Sequence, residues 1–372
     1  MLSEPVTLLA SGNSLGAYIP AMHAYTYLRS RGVDAEVRVL EAYYREEVRD
    51  KIQATRQAFH DNFAAALMGH RLAKPLSAGA VLSGKAAADL TGQWLAAGRR
   101  TFVAFTGFWV DILEAYADQA PFPVDIAFLR LDAADTPSYK VYRHLHAKYR
   151  QVHLYDAAAG LPAAYLCGID NAPLRYEERS GRLLVHGGGW GIGTYRDTLQ
   201  ELKEAGYELD VIVYDPSEAG EEDGSTRYYM TEPGWSPWSP GAGGRHTYPP
   251  MLQVKRRGTG FELIPLPGYE AYTRLVREAA AIVSKPGGAT LNDSLAYAVP
   301  LLLLDPFGGH EEANRQYWIS CGFGLRYADW KEGGYALPEL EACCRRLTGH
   351  RKTIKPYGSE EGYAAQNESH VR

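Results

Sequence analysis

Short apolar runs alternate with longer amphipathic stretches along this chain, and Gly or Pro marks most of the junctions. That alternation predicts strands and helices in turn, the pattern of an α/β fold. Residues 6–10 read as the first strand. The turn Ser11-Gly12-Asn13-Ser14-Leu15-Gly16 follows, then a helix over about 19–31, a stop at Gly32 and a second strand over 35–40. The opening is Rossmann-like. No Gly-Lys-Ser/Thr follows its turn, which excludes the phosphate loop of nucleotide triphosphatases. Residues 46–72 are charged and Ala-rich, with no Gly before Gly69, and read as one or two long helices with a solvated face. Strands are expected over 101–106, 124–129 and 151–155, and a helix over 137–149.

The pattern loosens around Gly168 and Pro173, so a linker is placed at 166–180. It divides a first domain, 1–165, from a second, 181–350. A second Rossmann-like unit then opens with a strand at 182–186 and the turn Gly187-Gly188-Gly189-Trp190-Gly191-Ile192-Gly193. A helix over 195–205, Gly206 and a strand over 209–214 complete it. No Gly-x-Gly-x-x-Gly frame fits these glycines, so they are not a dinucleotide fingerprint. Tight packing of helix on strand explains them as well as a ligand does. Residues 216–257 form an insertion rich in Gly, Pro and aromatics, including Trp235-Ser236-Pro237-Trp238. A connection that long is functional or disordered, and its aromatics favour ordering on an acceptor or a partner subunit. A helix is expected over 338–347, and a polar tail over 351–372.

The most informative stretch is Ser284-Lys285-Pro286-Gly287-Gly288-Ala289-Thr290-Leu291-Asn292-Asp293. An apolar strand precedes it at 279–283, a helix over 291–298 stops at Pro300, and another apolar strand follows at 301–304. The whole is one βαβ unit. Ligands of open α/β sheets sit beyond the carboxyl ends of the strands, and a helix start offers unpaired N–H groups to a phosphate. Gly287 and Gly288 let the backbone approach a diphosphate. Lys285 adds a cation, and Thr290 a hydroxyl in the first turn. Asp293 lies three residues on, near the same helix face, where a carboxylate accepts from ribose hydroxyls. A second turn, running from Asp305 through Gly308-Gly309-His310-Glu311 to Asn314, converges on the same crevice.

Composition narrows the class. With 372 residues the chain is comfortable for two domains. A formal net charge of −5 argues against nucleic acid as a partner. The 26 Tyr suit a small-molecule or carbohydrate site. Four Cys without zinc-like or redox spacing fit a reducing, cytoplasmic compartment. No leader and no run long enough to span a bilayer is evident.

Residues 282–324 resemble the donor-sugar region of inverting nucleotide-sugar glycosyltransferases of the GT-B fold. The relatives in view are peptidoglycan lipid-intermediate N-acetylglucosaminyltransferases, monogalactosyldiacylglycerol synthases and natural-product glycosyltransferases. Their pattern is a Pro-Gly or Ser-Gly turn, Thr, an acid, Gly-x-Pro, an apolar strand and Gln-Glu-x-x-Asn. It falls here on Pro286-Gly287, Thr290, Asp293, Ala298-Val299-Pro300, residues 301–304 and His310-Glu311-Glu312-Ala313-Asn314. Residues 6–20 and 183–193 fit the same family more loosely.

The resemblance implies two Rossmann-like domains facing across a cleft, an inverting transfer from a UDP- or dTDP-sugar, no metal and no cofactor. Lys285, Gly287, Gly288, Gly188, Gly189 and Trp190 then surround the diphosphate. Thr290 and Asp293 hold the nucleoside side, Leu266 flanks the base, and His310, Glu311 and Asn314 read the sugar. A small soluble acceptor enters from the first domain near Asn13, Ser14 and Trp109, and the tail crosses back to that domain. A homodimer is compatible with this scheme. A different nucleotide-sugar chemistry, retaining transfer, carries two Glu with seven residues between them, and Lys285 and Asp293 at those places disfavour it.

Three departures stand out. Asp293 is shorter than the usual Glu, and His310 replaces Gln or Asp. Ala17 fills the place where a His takes the acceptor's proton, and Ala cannot move a proton. Asp111, just past a strand end, is the leading replacement, with His23 and Ser14 beside it and His144 as a weaker candidate. Two other classes stay open: a non-catalytic nucleotide-sugar-binding partner, which Ala17 favours, and an epimerase on the same fold using His310 and Glu311.

Overall fold

A computed structural model describes residues 4–13, 15–72, 81–155, 165–167, 172–221 and 223–359. Five parallel strands, β1 (Val6–Ala10), β2 (Ala35–Val39), β3 (Thr101–Ala104), β4 (Asp125–Arg130) and β5 (Arg150–His153), form the first sheet in the order β2-β1-β3-β4-β5. β1 and β3 are buried along their whole length, which is why they read as continuous apolar runs. A short strand, β6 (Tyr165–Leu166), follows before the chain enters the second domain.

The second sheet holds β7 (Leu183–His186), β8 (Leu209–Ile212), β9 (Thr226–Thr231), β10 (Met251–Arg257), β11 (Gly260–Pro265), β12 (Ala281–Ser284), β13 (Leu301–Leu303) and β14 (Gly324–Arg326). Their order is β11-β10-β9-β8-β7-β12-β13-β14. The β9–β10 and β10–β11 pairs are antiparallel, and the rest are parallel. Much of the expected insertion is therefore sheet. The strand signal of Thr226–Thr231 lies between Gly and Pro clusters that read as loop.

Among the helices α1 (Leu15–Ser30), α2 (Glu46–Asp61), α3 (Val110–Gln119), α4 (Glu270–Glu278), α5 (Gly288–Tyr297) and α6 (Gly309–Ser320), all but α3 contribute to the site. α5 starts three residues before the expected Leu291. It ends at Ala298, whose φ of 52° is left-handed, with the Val299 N–H bonded to the Ser294 carbonyl. The Arg179 guanidinium donates to the carbonyls of Tyr297 and Ala298, placing a cation at the negative end of the helix dipole. The expected loop around His310 is instead the first turns of α6.

One apolar cluster runs from Leu8 and Met22 to Leu291, Leu295 and Trp318, so the two domains share packed surface. At the chain's end, β15 (Lys355–Pro356) pairs with β6, and Gly358 lies against Leu28 of α1. The chain thus returns to the first domain. The rest of the tail, 360–372, falls outside the described residues.

Candidate functional site

Both sheets change winding direction at one place, and there a doubly wound sheet opens a crevice. In the first sheet the change falls between β1 and β3, followed by Ser11-Gly12-Asn13 and by Thr106. In the second it falls between β7 and β12, followed by the 187–193 turn and by Lys285 to Gly288. These segments meet and line two neighbouring cavities, which share Leu15, Gly188, Gly189, Trp190 and Thr290.

The first cavity encloses about 300 Å³. Tyr269, Tyr272, Met230 and Met251 give it an apolar and aromatic wall, suited to a flat ring. At its floor lies Asp293, 4% exposed, whose one hydrogen bond among the described residues comes from the Tyr272 hydroxyl at 2.7 Å. Burial pushes this carboxyl up to about 7. Ionisation without a cation is unfavourable there, and a ligand that donates hydroxyls relieves it. His186, also buried, accepts the Gly188 N–H on Nδ1, which leaves its proton on Nε2, and burial lowers its pKa to about 4. The first domain closes this cavity with Ile19, Gln53 and Arg56. The Arg56 guanidinium lies 3.5 Å from the Trp190 ring centroid and 4.9 Å from that of Trp238.

The second cavity encloses about 350 Å³ and brings together Asn13, Ala17, Thr106, Asp132, Lys285, Gly287, Gly288, His310 and Glu311. The Lys285 ammonium pairs with the Glu311 carboxylate, which also accepts the Phe307 N–H at 2.6 Å. Burial opposes this charge, yet Lys285 and the two hydrogen bonds hold Glu311 below its ordinary range. Gly288 faces the first domain at close quarters: a Cβ there would stand 2.9 Å from the Leu131 carbonyl and 3.1 Å from Asp132 Oδ1. A side chain at Gly189 would likewise run into Leu15, 2.4 Å away. Close approach between the domains thus fixes both as glycine.

Lys285, Gly287, Gly288, Thr290, Asp293, His310, Glu311, Gly188, Gly189, Trp190 and Asn13 all line these cavities. Asn314 does not. It is fully buried, donating to Asp132 Oδ1 at 2.7 Å and to the Pro286 carbonyl at 2.9 Å, and accepting from the Ala133 N–H at 2.7 Å. Its amide clasps the domains and is not open to a sugar. Leu266 lies outside the first cavity, where Tyr269 and Tyr272 stand instead.

The expected catalytic groups lie elsewhere. Asp111 sits on the first turn of α3 and accepts from Tyr142, away from both cavities. Residues 107–109 form a 3-10 turn that carries it off the strand end. His23 is buried against Tyr248, with its pKa lowered by burial to about 4. Trp109 is a core residue that donates to the Ala10 carbonyl. Ser14 falls outside the described residues.

The aromatics of residues 232–250 order on the first domain itself. Tyr18 donates to the Thr247 carbonyl and packs edge-on against Trp235, while Trp238 covers Gly12. Sequence reasoning also missed Glu41, which gathers Ser11 Oγ and the Gly12 and Asn13 N–H groups and so shapes the first turn. Among the described residues no group of three His, Cys, Asp or Glu could hold a metal ion, and no helix is long and apolar enough to cross a membrane.

Two Rossmann-like domains with facing switch points and a cleft between them define a GT-B-type architecture. Known structures agree. SnogD, a glycosyltransferase from Streptomyces nogalater, superposes with a TM-score of 0.56 at 15% identity, over 99% of each chain. The Streptomyces sp. SF2575 glycosyltransferase SsfS6, complexed with thymidine diphosphate, gives 0.55 at 13% identity over 98% of this chain and 99% of that one. Acinetobacter baumannii MurG gives 0.53 at 11% identity over 98% and 99%. The chain has the GT-B fold. No family model matches it. A processive diacylglycerol beta-glucosyltransferase of Staphylococcus carnosus is 43% identical over 51 residues, which span 14% of this chain and only 13% of that protein.

Proposed function

We propose that this chain is an inverting glycosyltransferase that moves a sugar from a UDP- or dTDP-sugar to a small acceptor without a metal ion. One observation carries the reading. Asp293 faces the first cavity with its aromatic wall, Lys285, Gly287 and Gly288, one turn away, face the second, and Thr290 borders both. A nucleoside in the first cavity thus hands its diphosphate to the start of α5. Asp293 takes the ribose hydroxyls, and the aromatic wall takes the base. The α5 amides and the Lys285 ammonium meet the charge that grows on the leaving diphosphate. Each such donor is worth ~2.7–4 kcal/mol of barrier. His310 and Glu311 stand where the sugar emerges, and the acceptor enters along Asn13, Thr106 and Phe108 of the first domain. The thymidine diphosphate complex among the structural neighbours supports this class of donor.

Calorimetric titration of UDP, dTDP, GDP and NAD into wild type and Asp293→Ala tests the reading. Selective binding of UDP or dTDP, weakened in the variant, is expected. Binding of none, or of NAD alone, refutes it. Ala17, which lines the second cavity where a base is wanted, favours a second reading: a partner that binds the nucleotide sugar and does no chemistry. Turnover of the donor separates the two.

A further inference from the structure

The loop after β4 carries a carboxylate that the fold places across the same cavity as Ala17. Asp132 comes from the first domain, yet its Oδ1 lies against the start of α5, where Gly288 leaves it room. Asn314 holds that oxygen at 2.7 Å and also receives the next backbone N–H, that of Ala133. The carboxyl is therefore fixed in orientation. Among the described residues no donor engages Oδ2. His310, Glu311 and Lys285, the charged groups nearest it on the second domain, are the same groups that face the emerging sugar.

Resting on the transferase reading above, we propose that Asp132 is the general base of this chain, doing from the β4 loop what Ala17 cannot do from α1. The acceptor's hydroxyl oxygen forms the new bond to the anomeric carbon and gives its proton to Asp132 Oδ2. The bond from that carbon to the diphosphate oxygen breaks, and the diphosphate leaves with the electron pair. Burial raises the Asp132 pKa and outweighs the pull of His310, which makes the carboxylate a better proton acceptor than an exposed one. Asn314 is the positioning residue: it fixes the carboxyl and ties base and donor site together across the cleft.

Asp132→Asn tests this, because it keeps an oxygen for Asn314 to donate to but cannot accept a proton. Nucleotide binding is read by calorimetry with UDP and dTDP. Turnover is read as nucleotide release from UDP-glucose and dTDP-glucose, with water, benzyl alcohol or 4-nitrophenolate as acceptor. The variant is expected to bind nucleotide within about twofold of wild type. Transfer to water and benzyl alcohol should fall by about 10²–10⁴-fold, the usual worth of a general base. Transfer to 4-nitrophenolate, already ionised, should fall less than tenfold. An equal loss on all acceptors, or no loss, overturns the assignment in favour of a purely structural clasp. Wild type that binds nucleotide but turns over no donor also overturns it, leaving the binding reading intact. Wild type that binds no nucleotide refutes the transferase reading itself, and this inference falls with it.

Discussion

Replacing Asp293 by Asn should stabilise the protein at pH 8 and do much less at pH 5. The carboxyl is buried beneath Tyr272, with a single hydrogen bond and a pKa of about 7 against an ordinary 3.8. A folded-state value above the unfolded one means that stability is complete below pH 3.8 and is lost as pH rises through about 7. The distance between the two values converts to about 4 kcal/mol lost by pH 8. Between pH 5 and pH 8 the loss is about 3 kcal/mol. Asn accepts the Tyr272 hydroxyl equally well and never ionises. Urea unfolding of both proteins at pH 5, 6, 7 and 8 isolates the effect, since every other titration cancels in the difference. The advantage of Asp293→Asn should grow by about 3 kcal/mol across that range. A difference that stays flat with pH would refute the argument. The same carboxylate couples pH to binding. Ribose hydroxyls donate only to the ionised form usefully, so wild-type affinity for UDP should fall as pH drops below about 7, with a proton released on binding.

Two further outcomes follow from charges that meet at the cleft. Lys285→Met should bring the affinity for UDP down toward that for uridine, a loss of about 2–5 kcal/mol for a buried charge contact, and calorimetry with both ligands reads it directly. His60 presents both ring nitrogens to acceptors, the Gly191 carbonyl at 2.7 Å and the Glu218 carboxylate, so the clasp needs the doubly protonated ring. Burial opposes the charge, but the bonds to Glu218 and Gly191 raise the pKa; the clasp is complete below the ordinary 6.5 and weakens as pH rises through the raised value. Amide protection factors in α2 and in the 187–193 turn, corrected for the intrinsic rise of exchange with pH, should fall over that interval in wild type but not in His60→Ala.

The cavity lining around the start of α5 was legible because its signals are local. Lys285, Gly287, Gly288, Thr290 and Asp293 occupy one turn and the start of one helix, and the glycines announce close approach on their own. The first-domain wall of the second cavity was not legible, because it is assembled from distant positions. Asp132 is separated from Asn314 by 182 residues, and nothing in Leu131-Asp132-Ala133-Ala134-Asp135 marks one carboxylate over the other. Asp111 satisfied the same rule, a carboxylate just beyond a strand end, and a three-residue 3-10 turn was enough to carry it away. Trp109 was an aromatic near the right loop, and a core of Trp94, Phe102 and Tyr116 claimed it. Asn314 fitted the sugar-binding pattern by position, while its amide is consumed by the other domain.

These cross-domain bonds bear on how a ligand enters. Leu15, Ile19, Gln53 and Arg56 of the first domain wall the cavity whose floor is Asp293 of the second, so a ligand in it would be enclosed by both. Around that cavity polar and aromatic contacts join the domains, Asn314 with Asp132, His60 with Glu218, Arg196 with the His60 carbonyl, Trp190 with Asn13, and Arg56 with the Trp190 and Trp238 rings, beside the apolar cluster that both domains share. Residues 232–250 belong to the second domain by sequence and rest on α1 of the first, as a strap would. Asp132 reaches α5 across this interface, so the proposed base meets the α5 turn only while the two domains stay packed together.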